Sequence, residues 1–187
     1  MNTPFDNGHK KLHRPFSTPV RHGLRILLAA LLIAGAYSAS AQWKIGSALP
    51  ALKTFSLEGT PPPSMVGKVI VVDFWASWCG PCKASFPVLN ALQQKYSAAG
   101  LIILAINEDE KAESMKTFLD NNPVSFTVIR DVDHKLVAAA GVESMPTSFV
   151  IDRSGKVRYI HTGFHGDKTT EKYNSEIELL LKEGASK

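Results

Sequence analysis

Cys79 and Cys82 are the only cysteines among 187 residues, and two residues separate them. Thiols at that spacing can close a disulfide within one helical turn and open it again. The chemistry this supports is thiol–disulfide exchange: a thiolate attacks a disulfide sulfur, and a second thiol resolves the mixed disulfide. A purely structural bridge is the competing role. It is disfavoured, because a bridge across so small a loop restricts the unfolded chain little. A zinc site needs four ligands, and the thiols supply two.

The two thiols are not equivalent. A free cysteine has a pKa of about 8.5, so little thiolate exists at neutral pH without help. Cys79 stands just before a helix-like pattern, where unpaired N–H groups and the positive dipole end favour its anion. Cys82 lies one turn in and is more shielded. Cys79 is therefore the expected attacking sulfur and Cys82 the resolving one. Pro81 lacks an N–H, which costs nothing in a first turn. Asp73 lies six residues before Cys79, among Val71, Val72, Phe74 and Trp75. A carboxylate in such surroundings is costly to ionise, so its pKa should rise. Raised toward neutrality, it could take the Cys82 proton, directly or through water. An aspartate satisfied by a local hydrogen bond is the alternative; the short separation from Cys79 favours the chemical role. Met145-Pro146-Thr147 is a third piece, a turn before a strand, whose X-Pro bond is open to either the cis or the trans form.

These residues need elements to hold them. Val69 to Ala76 is nearly all apolar, as in a central strand covered on both faces. From Pro81, Phe86, Leu89, Leu92 and Tyr96 follow helical spacing, with Gly100 suited to a C-terminal cap. Leu101 to Ile106 and Phe126 to Ile129 are two further strands. Between them Met115, Phe118 and Leu119 mark a helix over Lys111 to Asn121, stopped by Pro123. His134 to Ala140 is a short helix. Thr147 to Ile151 and Val157 to His161 flank an Asp152-Arg153-Ser154-Gly155 turn. Tyr173, Ile177, Leu180 and Leu181 form one face of a last helix. Residues 43–60 are mixed, and Thr60 to Ser64 is a stiff, proline-rich connector. Strand–helix–strand units imply parallel strands, and the late hairpin adds an antiparallel edge. The expectation is an α/β fold, a central mixed sheet with helices on both faces.

The formal charge of +4 belongs to the N-terminal stretch. Residues 1–41 hold five of the 21 Lys and Arg and one of the 17 acids, leaving 16 of each for the remainder. No basic stripe remains to neutralise phosphates, which argues against nucleic-acid binding. Basic residues come first, then an apolar run from Ile26 to Tyr37, then Ala39-Ser40-Ala41 before Gln42. This reads as a signal peptide over 1–41, with a single domain over 42–187. The run's 12 residues span about 18 Å as a helix, against about 30 Å of bilayer hydrocarbon. An uncleaved N-terminal anchor is the alternative, and membrane contact is expected only in that case. Both place 42–187 outside the cytoplasm, in the periplasm or on the outer face of the cytoplasmic membrane. No cysteine stands directly after the run, which excludes lipidation there.

The segment Val72-Asp73-Phe74-Trp75-Ala76-Ser77-Trp78-Cys79-Gly80-Pro81-Cys82-Lys83 resembles the active-site segment of thioredoxins. The proline-rich connector, the insert around Asn107 to Phe118 and the stretch from Met145 to Asp152 resemble the exported TlpA/ResA-like branch. The likeness covers about residues 43–183. It implies a thioredoxin-like fold, with Cys79 similar to the family nucleophile and Cys82 to its resolving partner. It also implies that Pro146 is a cis-proline facing the disulfide, and that the Met145 backbone pairs with an extended substrate segment. Pro87 matches the proline that kinks the active-site helix. Trp78, Gly80, Pro81, Met145 and Pro146 make up the expected substrate surface. Two departures matter. Many TlpA/ResA-like reductases carry a Glu three residues after the second cysteine, where this chain has Ser85. Several lack the strand carboxylate that Asp73 supplies here, as in thioredoxin. Acid–base work is thus expected at Asp73, and a role in cytochrome c maturation transfers poorly. Gly80-Pro81 is thioredoxin's dipeptide, and resembles the reducing end of a range from about −270 mV to about −120 mV.

The expected activity is reduction of protein disulfides through Cys79–Cys82. The partners are protein thiols and disulfides, with a membrane thiol carrier as electron donor. No nicotinamide or flavin motif is present, so the expected redox centre is the cysteine pair alone, without cofactor or metal. A thiol peroxidase would place Pro-x-x-x-Thr-x-x before its cysteine, whereas Trp75-Ala76-Ser77-Trp78 precedes Cys79. A non-catalytic chaperone or metal carrier using the same surface is a further alternative. A copper-chaperone relative would carry C-x-x-x-C, so His134, His161 and His165 do not amount to a metal set. Glu108-Asp109-Glu110 is expected to be a solvated loop, and Trp43 and Trp75 to be packing residues.

Overall fold

All seven residues of Val69–Trp75 are buried, as a strand covered on both faces must be. The computed structural model describes residues 42–183. The expected signal peptide over 1–41 lies outside the described residues. In chain order the elements are β1 (Leu57–Glu58), β2 (Val69–Trp75), α1 (Gly80–Tyr96), β3 (Leu101–Asn107), α2 (Ala112–Asn121), β4 (Thr127–Asp131), α3 (Lys135–Ala140), β5 (Thr147–Ile151), β6 (Val157–Thr162) and α4 (Asp167–Glu183). A 3-10 turn at Leu52–Thr54 precedes them.

One six-stranded sheet runs in the order β1-β4-β3-β2-β5-β6. The helical crossovers α1 and α2 make β2, β3 and β4 parallel. β5 lies antiparallel beside β2, and β6 antiparallel beside β5. The hairpin therefore places its first strand inside the sheet, and of its two strands only β6 forms an edge. The Asp152 carboxylate accepts from Ser154 N at 2.9 Å and Lys156 N at 3.1 Å. Gly155 takes a φ of 80° in the same turn.

Side chains alternate across the sheet as a period of two requires. Val69, Val71 and Trp75 join the cluster made with α1, α4 and the apolar side of α2. Ile70, Val72 and Phe74 face the opposite cluster, with α3, Trp43 and Leu52. Aromatic contacts lie in both layers. Trp43 meets Phe149 at 5.0 Å, and Trp75 meets Phe86 at 4.5 Å between ring centroids. Trp43 and Trp75 are packing residues, as expected.

The main departures from the sequence reading lie at β1, β4, α3 and the end of α1. The edge strand β1, paired with β4, lies within the stretch read as mixed. Two residues are too few to show periodicity. β4 runs two residues beyond Ile129 and ends at Asp131, whose Oδ2 accepts from Val137 N at 2.9 Å and so caps α3. His134 precedes α3 in a left-handed conformation, φ 55°. Helix α1 ends at Tyr96, with Ser97 as its C-cap. Gly100, φ 103°, instead turns the chain into β3.

Candidate active site

The site forms where β2 ends and α1 begins. The turn between them is pinned from two sides. Cys79 N donates to Ala76 O at 3.1 Å. Ser77 donates to the Asp109 carboxylate from its backbone N at 3.1 Å and from its hydroxyl at 3.0 Å. Asn107 Nδ2 donates to the same carboxylate at 2.9 Å, and Asp109 N donates back to Asn107 Oδ1 at 3.1 Å. The expected solvated loop is thus corrected. Asp109 is 1% exposed and Glu108 is buried too, because their carboxylates are turned inward; only Glu110 is exposed.

Cys79 is the N-cap of α1, and its Sγ accepts from Cys82 N at 3.2 Å. That N–H is one of the orphan donors of the helix start, so the sulfur sits where negative charge is favoured. Cys79 and Cys82 are joined as a disulfide, their Cα atoms 5.3 Å apart. Their exposures differ: 6% for Cys79 and 0% for Cys82. Ser85 is buried one turn later, and its hydroxyl donates to Cys82 O at 2.8 Å. Its proton is committed to the backbone, so it does not replace a carboxylate there. Pro87 lies inside α1 and is exposed.

Asp73 is fully buried on β2, on the face that Val71 and Trp75 present to the cysteine-containing cluster. Burial raises its pKa from 3.8 to about 7, against a lowering hydrogen bond from Ser148. Ser148 Oγ donates to Oδ1 at 2.5 Å. Among the described residues, Oδ2 has no hydrogen-bond partner. Tyr173 Oη lies 2.6 Å from the same Ser148 hydroxyl. Sequence reasoning assigned neither Ser148 nor Tyr173 to the site. The one signal was a serine inside an otherwise apolar buried strand.

The outer surface collects the remaining expected residues. The Met145–Pro146 peptide is cis, and the Met145 carbonyl oxygen lies 3.6 Å from Cys79 Sγ. Gly80 and Pro81 are exposed, and Trp78 is 68% exposed. Cys79 is therefore flanked by Trp78 and Met145, with Pro146 buried behind. A cavity of about 500 Å³ beside Trp78 is lined also by Glu108, Lys111 and His134. His134 Nδ1 lies 2.8 Å from Glu108 Oε2. Burial raises the Glu108 pKa to about 7. Among the described residues, no group of three or more His, Cys, Asp or Glu is placed to hold a metal. Nor is any helix among them long and apolar enough to cross a membrane.

The arrangement has relatives. Residues 46–177 match the Redoxin family profile. The thiol-disulfide oxidoreductase ResA of Bacillus thuringiensis (strain Al Hakam) is 34% identical over 128 residues, 67% of this chain and 74% of that one. ResA of Geobacillus thermodenitrificans (strain NG80-2) is 33% identical over 145 residues, 75% of this chain and 83% of its own. A crystal structure from Chlorobium tepidum, described as a thiol:disulfide interchange protein DsbE, superposes with a TM-score of 0.69 at 39% identity. It covers 75% of this chain and 99% of its own. With a thioredoxin-like sheet and a Cys-x-x-Cys pair at the head of α1, the chain belongs to the Redoxin family, among its thiol–disulfide oxidoreductases.

Proposed function

We propose that this enzyme reduces protein disulfides outside the cytoplasm, with Cys79 as nucleophile, Cys82 as resolving thiol and Asp73 as proton acceptor. One observation carries the reading: a helix-capping Cys79 bonded to a buried Cys82, with a buried carboxylate on the β2 face that joins the same core cluster. In the reduced enzyme, the Cys79 thiolate attacks one sulfur of a substrate disulfide. That bond breaks, a Cys79–substrate disulfide forms, and the first substrate sulfur leaves as a thiolate that takes up a proton. Asp73 then accepts the Cys82 proton, and the Cys82 thiolate attacks Cys79 Sγ. The second substrate sulfur leaves, and two electrons have passed from the enzyme dithiol to the substrate. An external thiol donor reduces Cys79–Cys82 again. The pair is the redox centre of this cycle, with no further cofactor.

On this reading an extended substrate segment lies along Met145 and Pro146, with Trp78, Gly80 and Pro81 as the opposite wall. Supporting this, the Met145 carbonyl stands next to the reacting sulfur and Trp78 exposes a large apolar ring. Export rests on the leader pattern in residues 1–41, and the donor we infer is a membrane thiol carrier. The test uses variants of the reduced protein and a peptide disulfide. Cys82→Ser should accumulate a mixed disulfide through Cys79, and Cys79→Ser should form none. Equal trapping through either cysteine contradicts the assignment.

A further inference from the structure

Asp73 does not stand alone in the core. The β2–β5 register sets Ser148 directly across from it, and α4 brings Tyr173 to the same point. Ser148 Oγ is 2.5 Å from Asp73 Oδ1 and 2.6 Å from Tyr173 Oη. All three residues are buried. A hydroxyl has one proton to donate, and an ionised carboxylate only accepts. While Asp73 is ionised, Ser148 must therefore donate to Asp73, and Tyr173 must donate to Ser148. A proton on Oδ1 would need Ser148 Oγ as its acceptor, leaving one of the two hydroxyl protons without one, whereas a proton on Oδ2, which has no partner among the described residues, leaves the order intact. Among the described residues, Ser148 is the only hydrogen-bond partner of Tyr173 Oη. A buried O–H without an acceptor is costly, so the two hydroxyls keep the proton off Oδ1, and their donation to it favours the ionised carboxylate over a proton on Oδ2.

We propose that Ser148 and Tyr173 are positioning residues, a two-hydroxyl relay that orients the Asp73 carboxylate and keeps it able to accept the Cys82 proton. This rests on the role proposed above for Asp73. The surrounding groups leave the relay to act. From β6, His161 stands opposite Ser148 and meets the Tyr173 ring edge-on at 4.8 Å. Its Nε2 is 2.6 Å from Glu176 Oε2 on α4, so that pair closes on itself. β3 sets Ala105 beside Asp73, and α1 contributes the cysteine pair.

The test reads the ionisation of Asp73 itself, by carboxyl carbon NMR on the full chain across the neutral range. Ser148→Ala should move the Asp73 midpoint upward by about one pH unit or more. Tyr173→Phe should move it the same way by less, and Ser148→Thr should restore the wild-type midpoint. Tyr173→Phe keeps the ring against His161, so it serves where Ser148→Ala weakens folding. The pH profile of mixed-disulfide resolution should shift with the midpoint. A midpoint unmoved in both hydroxyl deletions, or moved downward, overturns the relay. Failure of the Asp73 role looks different: the wild-type resolution profile then shows no step at the NMR midpoint.

Discussion

Asp73 titrates near 7 because burial disfavours its charge more than the Ser148 hydrogen bond favours it. A base with that midpoint is half ionised at neutral pH, where a resolving thiol must be deprotonated. Asp73→Asn should slow resolution of the mixed disulfide by about 100-fold near neutral pH, read by stopped-flow. A wild-type rate in that variant removes Asp73 from the chemistry. The same shift predicts a stability trend. The folded carboxyl keeps its proton to about 7, whereas an ordinary one releases it near 3.8. Between those values the unfolded state binds fewer protons, so stability falls as pH rises and levels off above the folded midpoint. Wild type should lose about 4 kcal/mol relative to Asp73→Asn across that window, measured by urea unfolding. Glu108 is also raised to about 7 and contributes a parallel fall in both proteins, so the difference isolates Asp73.

At the level of elements, the start of α1 is held by a network rather than by the helix alone. Asp109 joins the Ser77 turn to the end of β3 through its bonds to Ser77 and Asn107. Asp109→Ala leaves the Ser77 and Asn107 donors without their acceptor. It should lower stability by about 2–4 kcal/mol, seen as a lower urea midpoint, and should slow attack by Cys79. An unchanged midpoint contradicts this role. The long elements were legible in the sequence because each repeats its period several times. Phe86, Leu89, Leu92 and Tyr96 line one side of α1, and β2 is apolar on both faces. Asp109 was misread because three consecutive acids look solvated in a sequence. Only the fold shows that the first two turn inward. β1 was missed for want of length.

Across the whole molecule, the chemical site joins segments far apart in the chain. The placement of Cys79, Cys82 and Asp73 near one another was legible because they share one short stretch, and that of Pro146 beside the disulfide only through the family resemblance, since its turn motif left cis and trans open. Ser148 and Tyr173 were not. Their contact with Asp73 spans 75 residues of sequence for Ser148, and it depends on strand register and on the docking of α4. On the export reading proposed above, residues 1–41 are removed and leave a domain of zero net formal charge. If so, mass spectrometry of the protein recovered from outside the cytoplasm should find Gln42 at the N-terminus, and its absence there contradicts the proposal. A retained leader would make Ile26 to Tyr37 an anchor.

On the proposed reading, Cys79–Cys82 delivers electrons to protein disulfides rather than withdrawing them from thiols. The direction is set by the reduction potential of the pair, measured by equilibration with glutathione. We predict a value near the thioredoxin end of the range, about −270 mV. A value near about −120 mV would make the enzyme an oxidant and contradict the direction proposed here.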